Sequence, residues 1–124
     1  MASKKILVVD DSSTSRLVTR MIFSQNSNYE LLSAIDGMDG VERARREKPD
    51  LIIMDVMMPR MTGIQACRVL KQDEQTSKIP VILLTTRGEE SSVQEGYASG
   101  CSDYLTKPVN QIELLELLKA YLGE

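Results

Sequence analysis

Leu51-Ile52-Ile53-Met54-Asp55-Val56-Met57-Met58-Pro59 is an apolar run that carries one carboxylate and is stopped by proline. With no polar alternation, such a run reads as a strand buried on both faces, the kind found inside a parallel sheet. Asp55 then stands at the strand's C-terminal end, the edge of open α/β sheets where ligands and chemistry collect. An aspartate in that position can also do no more than cap the next turn. Its meaning depends on what the rest of the chain brings to the same edge.

Lys5-Ile6-Leu7-Val8-Val9 is a second buried strand, closed by Asp10-Asp11. Ser12 or Ser13 caps the helix that follows, in which Leu17, Val18, Met21 and Ile22 share a face, and the Ser-Asn stretch near Asn26 to Asn28 ends it. Tyr29 to Ala34 reads as a short strand. Asp36-Gly37 opens a second helix with Met38, Val41 and Ala44 inward and Glu42, Arg43, Arg45, Arg46 and Lys48 outward, stopped at Pro49. The basic cluster on it reads as a solvated face rather than a phosphate or nucleic-acid patch.

Beyond Asp55, Thr62 and Gln65 form a capping-box pattern at the head of a helix running through Leu70. Ile79 to Leu84 is the fourth strand and ends on Thr85-Thr86. Gly88 to Gly100 is the weakest helix, with only Val93, Tyr97 and Ala98 as apolar anchors and Gly96 inside it. Asp103-Tyr104-Leu105-Thr106 is a short fifth strand ending in Lys107-Pro108. Asn110 and Glu113 then cap a last helix whose core face is Ile112, Leu115, Leu118 and Leu122. Strands alternating with helices in this way predict a doubly wound α/β fold, a five-stranded parallel sheet with five helices covering both faces.

At 124 residues the chain has the size of one domain, and no repeat, low-complexity tract or linker divides it. Its net charge of -3 argues against nucleic acid or an anionic membrane as the main partner. No apolar stretch approaches the roughly 20 residues of a membrane span, and the residues from Met1 to Lys5 lead into a strand rather than a signal sequence, so a cytoplasmic protein is expected. Cys67 and Cys101 lack the paired spacing of a zinc site or a disulfide framework and read as small buried side chains. The absence of histidine removes Ser-His-Asp triads, Cys-His pairs and histidine-ligated metals.

The predicted sheet gathers Asp10, Asp11, Asp55, Thr85 and Lys107 at one edge. Two carboxylates about 5 Å apart repel by about 3 kcal/mol at an effective dielectric near 20, so three of them require positive charge nearby. A hard cation such as Mg²⁺ suits an oxygen-only cluster, and Lys107 supplies a fixed ammonium. Metal, lysine and hydroxyl together make a site for a phosphoryl group, with Asp55 as the nucleophile, Asp10 and Asp11 holding the metal, and Thr85 and Lys107 contacting phosphoryl oxygens.

With Asp10-Asp11, Asp55 followed by Met58-Pro59 and Gly63, Thr85, and Asp103-Tyr104-Leu105 before Lys107-Pro108, the chain resembles the receiver domains of response regulators over its whole length, and is similar to the chemotaxis-type single-domain regulators. The resemblance implies a flavodoxin-like receiver spanning residues 1–124 with no output domain. A histidine kinase or histidine phosphotransfer protein would donate a phosphoryl group to Asp55. Mg²⁺ would be held by Asp11, Asp55 and the backbone carbonyl of Met57, with Asp10 acting through water. It further implies a Lys107-Pro108 bond that is often cis, and a coupled movement of Thr85 and Tyr104 that alters the fourth helix, fifth strand and fifth helix. Leu114, Leu117 and Tyr121 either contribute to a partner surface there or widen the buried face of the last helix.

The rival classes lack their marks. A haloacid-dehalogenase-type phosphatase places a second aspartate two residues after the nucleophile, where this chain has Met57, and adds a cap domain. A nucleotide or flavin module would need a glycine-rich phosphate loop after a strand. A receiver-like module working without phosphorylation, or a phosphate sink, remains the alternative to the switch. The expected protein is therefore a phosphoacceptor that takes phosphoryl groups from small donors rather than an enzyme with a separate substrate. Two positions depart from the commonest pattern: Thr86 stands where a smaller residue is usual, and Arg87 can reach over an acyl phosphate. Together with the bulk of Met57 they predict slow self-dephosphorylation. Replacing Arg87 with alanine is expected to speed decay of the phosphorylated form, followed as loss of labelled phosphate with time, and an unchanged rate would count against this shielding.

Overall fold

A computed structural model of the protein describes residues 4–24, 28–85 and 93–123. Strands and helices alternate: β1 (Lys4–Val9), α1 (Ser13–Phe23), β2 (Tyr29–Ala34), α2 (Gly37–Glu47), β3 (Leu51–Asp55), α3 (Gly63–Gln72), β4 (Val81–Thr85), α4 (Val93–Ala98), β5 (Asp103–Thr106) and α5 (Gln111–Leu122). The five strands form one parallel sheet in the order β2-β1-β3-β4-β5. Every residue of β3 and β4 is buried, as the unbroken apolar runs require of central strands covered on both sides.

Alternate strand residues feed two separate cores. Leu7, Val9, Ile52, Met54 and Leu83 meet α2 and α3 through Val41, Ala44, Ile64, Cys67 and Leu70. Ile6, Val8, Ile53, Ile82 and Leu84 meet Phe23 of α1 and Leu114 and Leu118 of α5. Ser12, Asp36, Thr62 and Asn110 each accept the backbone N–H three residues on, and Gln65 returns the bond to the Thr62 N–H. A cap of this kind contributes about 1 kcal/mol. Both cysteines are free and buried; burial raises the Cys67 thiol above its ordinary pKa and pushes Cys101 up to about 12.

Four helix faces differ from those expected. In α1, Thr19 and Phe23 are buried, whereas Leu17, Val18 and Met21 are 56%, 50% and 63% exposed. Arg16 fixes the rotation by donating from Nη1 to the Asp10 carbonyl at 2.6 Å, and the Phe23 ring packs edge-on against Tyr29. In α2, the inward stripe is Gly37, Gly40, Val41 and Ala44, with Met38 exposed. In α4, the inward residue is Gly96, with Tyr97 and Ala98 exposed; a Cβ at Gly96 would lie 2.5 Å from Tyr104 Cε2, so the glycine is a contact with β5 rather than a flaw in the helix. The Val93 side chain lies outside what is described.

In α5, Leu114 and Leu118 are fully buried and Ile112 is 70% exposed. Leucines at 114, 115, 117, 118 and 122 allow two overlapping stripes, and the Tyr121 hydroxyl selects one by donating to the Ser102 carbonyl at 2.8 Å. Leu114 therefore belongs to the core rather than to a partner surface, while Leu117 packs partly buried beside it.

Gly63 opens α3 directly over the end of β3: a Cβ there would lie 2.2 Å from the Asp55 carbonyl oxygen, which is backbone and cannot yield. Gly63→Ala is expected to lower stability by about 1–3 kcal/mol, the cost of overpacking a tight contact. Denaturant unfolding measures it, and an unmoved midpoint would show that the α3 start has more room than this geometry gives it.

Candidate functional site

Asp10, Asp11 and Asp55 converge as the strand ends dictate. β1 and β3 are neighbours, so the residue after Val9 and the last residue of β3 emerge side by side. Each of the three carboxylates offers an oxygen within 4.8 Å of the others. Asp10 and Asp55 are buried and Asp11 is exposed, so the cluster opens to solvent on one side.

Lys107 follows β5 and reaches back across β4. Its ammonium lies 3.2 Å from Asp10 Oδ2 and 3.4 Å from Asp55 Oδ2. Its main-chain N–H donates to the Thr85 carbonyl at 2.6 Å, so the ends of β4 and β5 are tied at the same place. The Lys107-Pro108 bond is cis. Asp10 is held further by the Ser12 N–H, which donates to Oδ1 at 3.0 Å. Burial pushes Asp55 up to about 6; Lys107 opposes that rise and the Asp10 charge adds to it.

These donors fit a hard divalent cation. The cluster is oxygen-only, one face is open, and a 4.8 Å spread needs little closing to meet the cation–oxygen distances of about 2.1 Å that Mg²⁺ prefers. The thiols lie elsewhere in the core, and a borderline-soft metal has no nitrogen or sulfur ligand here.

The other expected residues fall into place unevenly. Thr85 ends β4, buried, at the same edge. Tyr104 pairs in register with Leu83, its ring against Gly96 and 6.2 Å from the Tyr97 ring, with its hydroxyl buried. Met57 is 58% exposed just past Asp55. Thr86 and Arg87 lie outside the described residues. Arg16 and the pair Asp36–Arg60 were not singled out by the sequence as parts of this region. Asp36 carried a capping signal, but nothing marked Arg60, which takes a left-handed backbone angle of φ 67° right after Pro59.

The fold has counterparts among known proteins. A family model described as the response regulator receiver domain matches residues 6–119. The chain is 44% identical over 120 residues to protein PilH of Pseudomonas aeruginosa, covering 96% of this chain and 98% of that one. It is similar to the receiver domain of sensor histidine kinase PA1611 from Pseudomonas aeruginosa PAO1, solved with a magnesium ion coordinated in the active site cleft (TM-score 0.89, 28% identity, covering 99% and 100% of the two chains). The chemotaxis response regulator CheY4 of Vibrio cholerae is similar too (TM-score 0.86, 34% identity, covering 97% and 99%).

The raised pKa of Asp55 has a consequence for stability. The folded protein holds this proton up to about pH 6, whereas the unfolded chain releases it near 3.8. Between those values the folded state binds more protons, so stability falls as pH rises through the window, and the cost of the buried charge is fully present above it. In the presence of a chelator, Asp55→Asn is expected to be more stable than the wild type by about 1–3 kcal/mol at pH 7 and no more stable at pH 4. Denaturant unfolding at the two pH values checks this; an equal gain at both would mean that charge burial is not the cause.

Proposed function

The chain belongs to the response regulator receiver domain family, and on that premise we propose that it is a single-domain phosphoacceptor switch in which Asp55 takes a phosphoryl group from a histidine kinase or a histidine phosphotransfer protein. One observation carries the reading: a buried carboxylate at the end of the central strand lies 3.4 Å from an ammonium and beside two further carboxylates. Such a group is a nucleophile with its charge compensation built around it. An Asp55 oxygen forms the new bond to phosphorus, the bond from phosphorus to the donor nitrogen breaks, and its electron pair leaves with the donor imidazole.

Asp10, Asp11, Asp55 and the main-chain carbonyl of Met57 would hold Mg²⁺, with Asp10 acting through water. When bound, the ion neutralises charge on the transferring group. Lys107 pairs with a phosphoryl oxygen in place of one of its present carboxylate partners, and the Thr85 hydroxyl donates to another. Bulk at Met57 shields the product and slows its hydrolysis.

Output runs through the surface formed by α4, β5 and α5. The phosphoryl group brings about two negative charges and strong acceptors, which favour the loop arrangement that turns Thr85 toward it and keeps the Tyr104 ring inward, where it already packs on Gly96. The tie between the Thr85 carbonyl and the Lys107 N–H supports coupling of the two strand ends. The surface offers a groove lined by Asp103, Tyr104, Leu105, Thr106, Glu113 and Leu117, with Tyr121 alongside. Its partner is a protein rather than nucleic acid or membrane, in the cytoplasm; among the described residues no helix is long and apolar enough to cross a membrane.

Incubation with Mg²⁺ and acetyl phosphate, followed by intact-mass analysis beside Asp55→Asn, tests the reading. One phosphoryl group is expected on the wild type alone, with none when the metal is chelated. No adduct on a folded wild type that binds Mg²⁺ would turn the assignment toward a binding module that works without phosphorylation.

A further inference from the structure

The loop after Asp55, residues 56–62, carries the Met57 main chain, and the structure docks it onto the head of α2. A Cβ on Gly37, the first residue of α2, would lie 2.5 Å from the Met61 carbonyl oxygen, so only a glycine admits the loop this closely. Next to that contact the Arg60 guanidinium donates to Asp36 Oδ2. The Asp36 side chain is 4% exposed and already fixed, since its Oδ1 accepts the Asp39 N–H at 2.8 Å. Asp39 in turn accepts the Ile35 N–H at 3.0 Å. The Asp39 amide foremost, then Arg60, holds the Asp36 carboxyl below the usual carboxylate range against the opposing effect of its burial.

Arg60 holds φ 67°, a backbone region that non-glycine side chains adopt at a cost and leave when nothing retains them. The Arg60 side chain is 66% exposed, but its partner is a buried carboxylate already fixed by the Asp39 amide, which sets this bond apart from a surface pair between two mobile side chains. Another ion pair of α2, Arg45 Nε to Asp73 Oδ2 at 2.8 Å, sits at the opposite end of the helix, and there neither carboxylate nor guanidinium is buried.

We propose that Asp36 and Arg60 are positioning residues for the phosphoryl site: together they clamp the 56–62 loop to α2 and so fix the main chain that completes the oxygen set for Mg²⁺. The proposal rests on reading Asp10, Asp11, Asp55 and the Met57 carbonyl as that set. The pair acts through the loop and touches neither the cation nor the phosphoryl group. It thereby makes α2 a support of the site, although no α2 side chain belongs to the acidic cluster.

The test uses the full chain as Asp36→Asn, Arg60→Met, the double variant, Arg60→Lys and a control, Arg45→Met. Asparagine keeps the helix cap while removing the charge. Titration calorimetry with magnesium chloride alone gives Kd, and amide hydrogen exchange on the metal-free proteins follows residues 56–62, with β1 and β3 amides reporting an intact fold. Each single variant is expected to weaken Mg²⁺ binding about tenfold, the effect of losing a residue that orients a ligand. Exchange in the loop should quicken. The double variant should be no worse than the weaker single one, Arg60→Lys should recover part of the loss, and Arg45→Met should match the wild type.

Unchanged affinity and exchange in the single variants would overturn the clamp while leaving the phosphoacceptor reading in place. Effects that multiply in the double variant would overturn the pairing. A wild type that takes up no Mg²⁺ would bring down the site reading and the clamp together.

Discussion

Placing a carboxylate at the end of a strand whose other residues are all apolar is the constraint that organises this protein. β3 lies between β1 and β4, so Asp55 has no lateral route to water and must be satisfied by what the neighbouring strands deliver. β1 delivers two more carboxylates, and the turn after β5 delivers one ammonium. If all are ionised, three negative charges face one positive one, a deficit equal to the charge of a divalent cation. The sheet order, the reach of Lys107 across β4 and the tight start of α3 at Gly63 together hold that arrangement in place.

The strands were legible because their chemistry is one-dimensional. Apolar runs closed by Asp10, Asp55 and Thr85 announce both the burial of a strand and the residue at its end, and a parallel sheet then assembles those ends without further information. Caps were legible for the same reason, since Thr62 with Gln65 and Asn110 with Glu113 act within one turn. Helix rotation was not. In α1 and α5 several apolar positions compete for the inward face, and the choice is made by bonds to residues outside the helix: Arg16 to the Asp10 carbonyl and Tyr121 to the Ser102 carbonyl.

The Asp36–Arg60 pair illustrates the same boundary. Its two partners lie in different loops, 24 residues apart. Asp36 has a complete local reading at the start of α2, and Arg60 has none. Only the close approach of Gly37 to Met61 brings them together. Residues that support a site through a third element leave no periodicity or motif behind, so they emerge when the contacts are traced rather than when the chain is read.

The two thiols described in the fold have a practical consequence. A cysteine reacts as its thiolate, and here both sulfurs are enclosed by the core and held protonated far above neutral pH. The native protein is thus expected to react slowly with maleimides and similar electrophiles without any cysteine being removed. A single cysteine introduced on α1 or at the Ile112 end of α5 would carry a fluorophore or spin label alone, leaving both cores as they are.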